Sequence, residues 1–433
     1  MRLSDPPASS YYAATVAADQ SGARAELVGE FRADVAVVGG GIAGCSAALH
    51  LARRGYKVAL VEARFVGYGA SGRSGGQLIF GLAPSQKALT AQVGREDAHR
   101  LFELSIEALD STRALIDTYA IACDYTANHV HVATKPRHVR ELAEWSDELH
   151  GEYGYESARL LSRDELQSHV RSELYLGGLL DSRSGHLHPL KYTRGLARAA
   201  ELEGVRIFEN TRVLRYDGGG NRGGGTAVHS SHGVVRCEHV ILCGNAYLDG
   251  VAPPLARRIL GVGTYIVATE PLDPARARAL LPSNAAVADI NWILDYFRLT
   301  ADHRLLFGGR VSYSAVQPPH LTESMRMRLV RVFPALADVI VDYTWGGYLD
   351  ITLSRAPDFG RLAPNVYYLQ GFSGHGMALT GLAGKLVAEA VSGTAERFDV
   401  FARIPHRDFP GGRLLRRPSL VLAMLYYRLR DLL

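Results

Sequence analysis

Three glycines near the start of the chain have the spacing of a phosphate-binding turn. Gly39, Gly41 and Gly44 fit the pattern G-x-G-x-x-G. The first glycine permits a tight turn, the second lets a pyrophosphate approach the backbone, and the third lets a helix pack against the preceding strand. Glu62 follows about 20 residues later, where a carboxylate accepts hydrogen bonds from a ribose. This combination predicts a bound dinucleotide.

The segments around these residues are those that such a turn requires. Residues 34–38 are largely β-branched and apolar, as in a buried parallel strand, and residues 42–54 have apolar side chains at helical spacing. Residues 57–61 predict a second strand, which ends at Glu62. This context disfavours the alternative, a glycine-rich turn without a ligand. NAD, NADP and FAD all stay open at this point, although Glu62 would repel the 2′-phosphate of NADP.

A second glycine turn, GFSGHGMALTG, occupies residues 371–381 between a predicted strand and a predicted helix. The amides at a helix N-terminus stabilise negative charge. Reduced flavin develops such charge at N1 and at the C2 carbonyl, whereas NAD enzymes do not need a second anion site. The turn therefore favours a flavin as the bound dinucleotide. The alternative is a strand–turn–helix crossover that packs against its neighbours and binds no ligand.

The composition is that of an ordinary globular protein with two or more domains. The 433 residues are 47% apolar and 21% charged, with a net charge of +4. The basic residues are dispersed, so we expect no nucleic-acid partner. Residues 1–30 lack the apolar region of a signal peptide, and the apolar run 420–427 is too short to span a bilayer. We therefore expect a cytoplasmic protein without stable membrane insertion.

Neither the cysteines nor the histidines have the spacing of a metal site. The four cysteines form no C-x-x-C pair, and we expect them to be reduced core thiols. His186 and His188 stand two residues apart but lack acidic or cysteine companions nearby, so we expect no bound metal.

Dinucleotide-type elements recur near residue 40, within 205–245 and within 365–390. The sequence predicts an α/β fold in which a Rossmann-like FAD-binding domain is interrupted by a second, α+β substrate domain with a large mixed or antiparallel sheet. We assign the first domain to 31–95, 180–256 and 346–396, and the second to 96–179 and 257–345. The remaining predictions are an extended leader over 1–30, an exposed hairpin tip over 217–225 and a basic C-terminal tail helix over 397–433.

Four longer motifs resemble those of the FAD-dependent amine oxidases of the D-amino acid oxidase and glycine/sarcosine oxidase superfamily. They are DVAVVGGGIAGCSAALHLARRG, GYGASGRSGGQ, LDYFRLTADHRLLFGG and QGFSGHGMALTGLAGKL. The resemblance implies that a primary amine loses a hydride to flavin N5, that the imine hydrolyses to aldehyde and ammonia, and that molecular oxygen reoxidises the flavin to give hydrogen peroxide. An oxidase of another amine or amino acid, a dehydrogenase that uses a quinone, and a flavin-binding protein without turnover are the alternatives.

Two departures from the superfamily pattern narrow this expectation. Some relatives attach FAD covalently through a histidine in the loop that matches 69–77, where this chain has Arg73, so we expect non-covalent FAD. Sarcosine-type oxidases carry a lysine for the substrate carboxylate at the place of Ala378. An amine without an adjacent carboxylate fits better, and gamma-glutamylputrescine is the expected substrate.

The resemblance also implies which side chains form the site. We expect His375, Arg73 and Gln77 beside the flavin as candidate catalytic residues. Trp292, Tyr296 and Phe297 in NWILDYFRL could form an aromatic wall for the substrate. The alternative for His375 is a residue that only packs at the start of a helix. For Arg73 and Gln77 it is a pair of loop residues that face water, and for the aromatic residues it is packing in the core. Besides the first three, the expected cofactor-binding residues are Gly39, Gly41, Ile42, Ala43, Gly44, Glu62, Ala63, Ala70, Ser71, Gly72, Gly76, Val213, Gly244, Gly371, Ser373, Gly374, Gly376 and Met377.

Overall fold

The computed structural model describes residues 9–16, 24–218, 226–248, 250–312 and 319–410, which form three β-sheets with packed helices. The helices are α1 (Tyr11–Thr15), α2 (Ile42–Ala52), α3 (Gln86–Val93), α4 (Arg95–Thr118), α5 (Pro136–Gly151), α6 (Arg163–Leu166), α7 (Pro189–Leu202), α8 (Pro253–Arg258), α9 (Pro274–Leu280), α10 (Leu321–Val332), α11 (Gly376–Val391) and α12 (Glu396–Ala402). The strands are β1 (Gly29–Arg32), β2 (Val35–Val38), β3 (Val58–Val61), β4 (Gln77–Leu78), β5 (Thr126–Ala133), β6 (Ala158–Leu161), β7 (Gly177–His186), β8 (Arg206–Phe208), β9 (Arg215–Asp217), β10 (Thr226–His229), β11 (Gly233–Cys237), β12 (His239–Leu242), β13 (Ile259–Thr269), β14 (Ala286–Asp289), β15 (Tyr296–Leu299), β16 (Leu305–Ser312), β17 (Val341–Thr352), β18 (Asp358–Ala363) and β19 (Val366–Gln370).

A six-stranded sheet has the order β18-β19-β12-β2-β3-β8. Its strands run parallel except β18, which pairs antiparallel at the edge. Every residue of β2 and β3 is buried, as expected for parallel strands covered on both faces. Helices α2 and α11 pack against each other, and Gly384 allows this because a Cβ there would lie 2.5 Å from the backbone nitrogen of Ala47. The predicted strand, helix and strand around the first glycine turn are confirmed.

A nine-stranded sheet has the order β17-β13-β16-β15-β14-β5-β7-β4, and β6 also pairs with β7. The pair of β5 and β14 is parallel and the others are antiparallel, so the sheet is mixed, as predicted. Val130, Val287, Phe297 and Phe307 of one face pack in a core with residues of α9 and α10. That face is therefore filled by apolar packing.

The opposite face carries a row of residues that are register partners on six neighbouring strands. The row is His131, Ala288, Tyr296, Gly308, Ile266 and Trp345. These residues lie on this face because side chains alternate along a strand and their chain neighbours belong to the apolar core. Residues 69–76, here called the glycine loop, contact the row, since a Cβ on Gly75 would lie 2.5 Å from the Tyr296 ring.

A four-stranded sheet with the order β1-β11-β10-β9 completes the described strands. Its residues Val228 and Val235 pack in one apolar cluster with Ala36 and Leu242 of the six-stranded sheet. The prediction of an extended leader over residues 1–30 is wrong within its described residues, 9–16 and 24–30, because α1 is helical and β1 starts at Gly29.

The last described residues and the nine-stranded sheet bear on the predicted tail helix and on the predicted domain division. Of the tail helix predicted over 397–433, residues 397–402 belong to α12, but the prediction is wrong over 403–410, which are not helical. Residues 411–433 lie outside the described residues, as do residues 219–225 of the predicted hairpin tip. The nine-stranded sheet includes β4 and β7, parts of which the sequence-based division gave to the FAD-binding domain. The division and the cytoplasmic location stay predictions. In the described part of the chain, no helix has both the length and the apolar character to cross a membrane.

Candidate active site

The first glycine turn has no room for side chains at its three motif positions. A Cβ on Gly39 would lie 2.7 Å from the carbonyl oxygen of Cys243, and Gly39 has a φ of +110°. A Cβ on Gly44 would lie 1.9 Å from the carbonyl oxygen of Gly39. A Cβ on Gly41 would lie 2.9 Å from Ser71 Oγ. Close contacts within the protein therefore require glycine at all three positions, and Gly39 and Gly41 also line a cavity at the start of α2.

Glu62 lies at the end of β3, and two backbone amides hold its carboxylate. Gly40 N donates to Oε2 at 2.7 Å, and Arg64 N donates to Oε1 at 2.9 Å. Burial raises the pKa of the Glu62 carboxyl, and these two hydrogen bonds oppose the shift. Each oxygen keeps acceptor capacity, so the carboxylate can still accept hydrogen bonds from ribose hydroxyls.

A cavity that is partly open to solvent lies over the first glycine turn. Of the expected cofactor residues, those that line it are Gly39, Gly41, Glu62, Ala63, Ala70, Ser71, Val213 and Gly244. Sequence reasoning missed other lining residues, which are Val38, Gly40, Val61, Gly69, Thr211, Arg212, Cys243, Asn245, Tyr247, Leu248 and Val251.

Two of the missed residues support a polar ligand in this cavity. Asn245 Oδ1 and Tyr247 Oη are buried and have no hydrogen-bond partner among the described residues. Buried polar atoms usually have partners, so these two atoms fit a ligand with donors and acceptors. The motif CGNAYL at 243–248 was the available signal, because it follows a buried strand at a glycine turn.

The glycine loop is fixed to α2 at its first turn. Ile42 N donates to Ser71 Oγ at 3.0 Å, and Thr193 Oγ1 donates to the carbonyl oxygen of Ser71 at 3.2 Å. Gly72 allows the turn, because a Cβ there would lie 2.0 Å from the carbonyl oxygen of Gly67. Ser71 therefore joins the loop to the N-terminus of the helix that follows the first glycine turn.

Arg73 is buried, so the alternative interpretation, in which it is a loop residue that faces water, is wrong. Its Nε donates to the carbonyl oxygen of Tyr68 at 2.7 Å, and its Nη1 donates to that of Gly346 at 3.3 Å. The guanidinium also lies 4.7 Å from the centre of the Tyr68 ring. Trp345 Nε1 donates to the carbonyl oxygen of Arg73 at 3.0 Å. Arg73 thus connects the loop to β17.

Gln77 lies in β4 and orients a histidine that sequence reasoning missed. Its Nε2 donates to the carbonyl oxygen of Val287 at 3.0 Å, so its Oε1, 3.2 Å from His129 Nε2, accepts. This bond places the proton of His129 on Nε2 and leaves a lone pair on Nδ1, which is buried without a partner in the described part of the chain. The His129 and His131 rings are 4.4 Å apart. The alternation HVHV at 129–132 was the only sequence signal.

The second glycine turn precedes α11 and includes His375. Burial lowers the pKa of His375 to about 4 and that of His131 to about 3, so both are neutral at pH 7. His375 lies near enough to His129 and His131 for a charge on it to lower their pKa values. Sequence reasoning therefore named one member of a group of three histidines, of which His129 is fully buried and His131 and His375 are partly buried.

Hydrogen bonds fix other residues of the second glycine turn. Gly371 N donates to the carboxylate of Asp350, and burial raises the pKa of Asp350 to about 6. Ser373, with a φ of +52°, donates through Oγ to the carbonyl oxygen of Gly371 at 3.1 Å. Ser74 Oγ of the glycine loop donates to Met377 Sδ at 3.0 Å. The two glycine-rich segments therefore touch at the start of α11.

The three aromatic residues considered for the substrate wall lie in different surroundings. The prediction is wrong for Phe297, which is fully buried in the apolar core on the other face of the nine-stranded sheet. Tyr296 packs between Gly75 and Gly308, where added Cβ atoms would lie 2.5 and 2.0 Å from its ring. Trp292 is 43% exposed in the connection between β14 and β15. The two histidines considered as metal ligands have protein partners instead: His186 Nε2 is 2.9 Å from the carbonyl oxygen of Asn284, and His188 Nδ1 accepts from Lys191 N at 3.2 Å.

A parallel sheet with a dinucleotide cavity, joined through a glycine loop to a large mixed sheet, is the arrangement of flavin-dependent oxidoreductases. The chain belongs to the FAD dependent oxidoreductase family, whose sequence profile matches residues 34–390. It is 42% identical over 424 residues to the gamma-glutamylputrescine oxidoreductase of Escherichia coli, with 98% of each chain covered. It is 41% identical to a probable oxidoreductase of Haemophilus influenzae, with 92% of each chain covered.

Solved structures support the same fold. Glycine oxidase from Bacillus cereus superimposes with a TM-score of 0.71 at 22% identity, over 87% of this chain and 99% of that chain. The expected fold class and family are therefore confirmed. Membership of the family implies FAD as the cofactor, and the glycine turn, Glu62 and the unpartnered cavity atoms fit this group.

Proposed function

We propose that this protein is an amine oxidase that binds FAD without a covalent bond and oxidises a primary amine, with gamma-glutamylputrescine as the first candidate. The observation that carries the proposal is the 42% identity, over 98% of both chains, to an oxidoreductase named for gamma-glutamylputrescine. When bound, FAD would take a hydride from the α carbon of the amine at N5 and pass both electrons to molecular oxygen, which gives hydrogen peroxide; the imine would hydrolyse to aldehyde and ammonia.

Non-covalent binding is supported by the chemistry of the glycine loop. Residues 69–77 read GASGRSGGQ and include no histidine, cysteine or tyrosine that could attack the flavin ring. The side chain at the position of the covalent histidine in some relatives is Arg73, whose guanidinium is bound to two backbone carbonyls. Arg73 would therefore act by holding the loop in shape.

Negative charge that develops on the flavin would be stabilised by the second glycine turn. The turn presents backbone amides at the N-terminus of α11, a helix of 16 residues whose dipole favours negative charge there. Asp350 accepts from Gly371 N and thereby fixes the start of this turn. His375 would stand beside the flavin as a neutral group.

The amine would bind on the face of the nine-stranded sheet that carries His131 and Tyr296. His129 Nδ1 offers a buried lone pair on this face, and an amine N–H is a donor that would satisfy it. The same desolvation that lowers the pKa values of His129, His131 and His375 would disfavour the ammonium ion at this surface relative to the neutral amine. The neutral amine is the form that can release a hydride.

The test mixes purified protein with gamma-glutamylputrescine without oxygen and follows the flavin absorption. Oxygen is then admitted and peroxide is assayed, with putrescine, sarcosine and D-alanine in parallel. Bleaching by gamma-glutamylputrescine at the lowest concentration, followed by peroxide, supports the proposal. Stronger bleaching by another amine would reject the substrate, and bleaching without peroxide would indicate a dehydrogenase that needs another acceptor such as a quinone.

A further inference from the structure

Helix α1 is too short to be stable alone and is held by contacts with the rest of the protein. Ser10 Oγ accepts from Ala13 N at 3.1 Å and so caps the helix. Tyr11 Oη donates to Asp302 Oδ1 at 2.6 Å, and Thr15 Oγ1 is 3.1 Å from His188 Nε2. Tyr12 is completely buried. The helix is thus docked on the nine-stranded sheet and on the start of α7.

Tyr12 contacts two side chains of the nine-stranded sheet. Its Oη accepts a hydrogen bond from Arg298 Nη2 at 3.1 Å. Its ring meets the Trp345 ring edge-on, with 5.3 Å between the ring centres. Arg298 is 3% exposed, so its guanidinium needs protein partners for its N–H groups.

These two side chains each hold a carbonyl group of the glycine loop. Arg298 Nε donates to the carbonyl oxygen of Gly75 at 2.7 Å, and Trp345 Nε1 donates to that of Arg73 at 3.0 Å. Because a trans peptide is planar, fixing the Gly75 carbonyl also fixes the N–H of Gly76 on the side away from Arg298. One buried tyrosine therefore touches both supports of the loop that lies between the two sheets.

We propose that α1 is a clamp for the glycine loop and that Tyr12 is a positioning residue for the cofactor, acting through Arg298 and Trp345. The inference rests on the assignment of this loop to the flavin, and it does not depend on which amine is oxidised. Tyr12 does not touch the reacting atoms. It restricts the Arg298 side chain to the conformation that reaches Gly75, and thereby keeps the loop in the shape that binds FAD.

The experiment compares Tyr12→Phe with Tyr11→Phe in the full-length protein. Tyr12→Phe removes the acceptor for Arg298 but keeps the ring, whereas Tyr11→Phe removes the bond to Asp302 in the same helix, away from the loop. We expect the FAD dissociation constant to rise about fivefold in Tyr12→Phe, the effect of one typical hydrogen bond, and the flavin absorption maximum to shift. Tyr11→Phe should leave both unchanged.

Two outcomes would overturn the clamp. Wild-type FAD affinity in Tyr12→Phe is the first. The second is an equal loss of affinity in both variants that follows their apoprotein unfolding temperatures, because α1 would then contribute only general stability. A double-mutant cycle with Arg298→Lys adds an independent check: if Tyr12 acts through Arg298, Tyr12→Phe should not weaken FAD binding further in the Arg298→Lys background. If the two substitutions instead weaken FAD binding by factors that multiply in the double variant, the proposal is contradicted. Amine turnover enters none of these measurements, so the failure of the substrate assignment would be distinguishable.

Discussion

Replacing Glu62 by glutamine tests the nucleotide site at a contact whose geometry is defined on both sides. The carboxylate oxygens accept from Gly40 N at 2.7 Å and from Arg64 N at 2.9 Å. A glutamine has one acceptor oxygen, and its NH₂ group cannot accept, so one of the two amides loses its acceptor in either orientation. The variant also cannot offer a charged acceptor to the ribose hydroxyls of FAD.

The expected magnitude follows from the strength of charge-assisted hydrogen bonds. Such a bond contributes about 1.5–3 kcal/mol, so its loss predicts roughly 10- to 150-fold weaker FAD binding. In the apoprotein the effect is smaller, because burial raises the pKa of the Glu62 carboxyl and an uncharged side chain removes part of the cost of burying it. We therefore expect the FAD dissociation constant to change more than the unfolding temperature of the apoprotein.

The assay titrates FAD-free protein with FAD, follows the quenching of flavin fluorescence, and measures thermal unfolding of the apoprotein. Glu141→Gln, at an exposed position of α5, is the matched control and should change neither quantity. Wild-type FAD affinity in Glu62→Gln would refute the role of the carboxylate at the ribose. A lower unfolding temperature with unchanged affinity would refute it as well, since Glu62 would then only hold the turn.

Three further predictions concern the first turn, the second turn and the reaction. Gly44→Ala should abolish FAD binding and lower the unfolding temperature, because its Cβ would lie 1.9 Å from the carbonyl oxygen of Gly39; Gly151→Ala, with open space around it, is the control, and a Gly44→Ala protein with bound FAD would contradict the reasoning. Asp350 has a pKa of about 6 in the fold against 3.8 as its ordinary value, so its contribution to the free energy of unfolding of the apoprotein should fall by about 3 kcal/mol as the pH rises from about 4 to above 6. Asp289, whose pKa burial raises to about 7, contributes to wild type and variant alike. Denaturant titrations across this range should therefore show a fall about 3 kcal/mol larger in the wild type than in Asp350→Asn, and parallel curves would contradict it. If the amine binds neutral, kcat/KM should rise about tenfold per pH unit between pH 7 and 9, below the amine's own pKa of about 10, whereas a flat profile would indicate a base in the protein.

The nucleotide part of the fold could be predicted because its signals are local. Gly39, Gly44 and Glu62 are tied to a strand, a turn and a helix that follow each other directly, and each glycine has a steric reason within a few residues or in the adjacent strand. The same holds for the second turn, which starts α11 as expected. The order of strand, turn and helix at both places is confirmed, whereas the roles of these residues in a site stay predictions.

The rest of the site depends on contacts that no local pattern contains. His129 matters because Gln77, in a strand two residues long, reaches it across the sheet. Tyr12 lies in a helix of five residues with no periodicity to detect, and tertiary contacts alone define its role. Tyr247 was missed because a tyrosine after a buried strand is typical of core packing, and only its unpartnered hydroxyl at the cavity distinguishes it.

The contact between α2 and α11 also limits when the protein can mature during its synthesis. Gly384 packs on Ala43 and Ala47, which leave the ribosome about 340 residues earlier. At the usual rates of translation, about 5–20 residues per second, α2 is synthesised roughly 20–70 s before α11, the helix that packs against it. During this interval the apolar side of α2 needs a temporary cover, either from the nascent chain or from a chaperone. The core of the nucleotide part would therefore reach its final packing late, once nearly the whole polypeptide has been made.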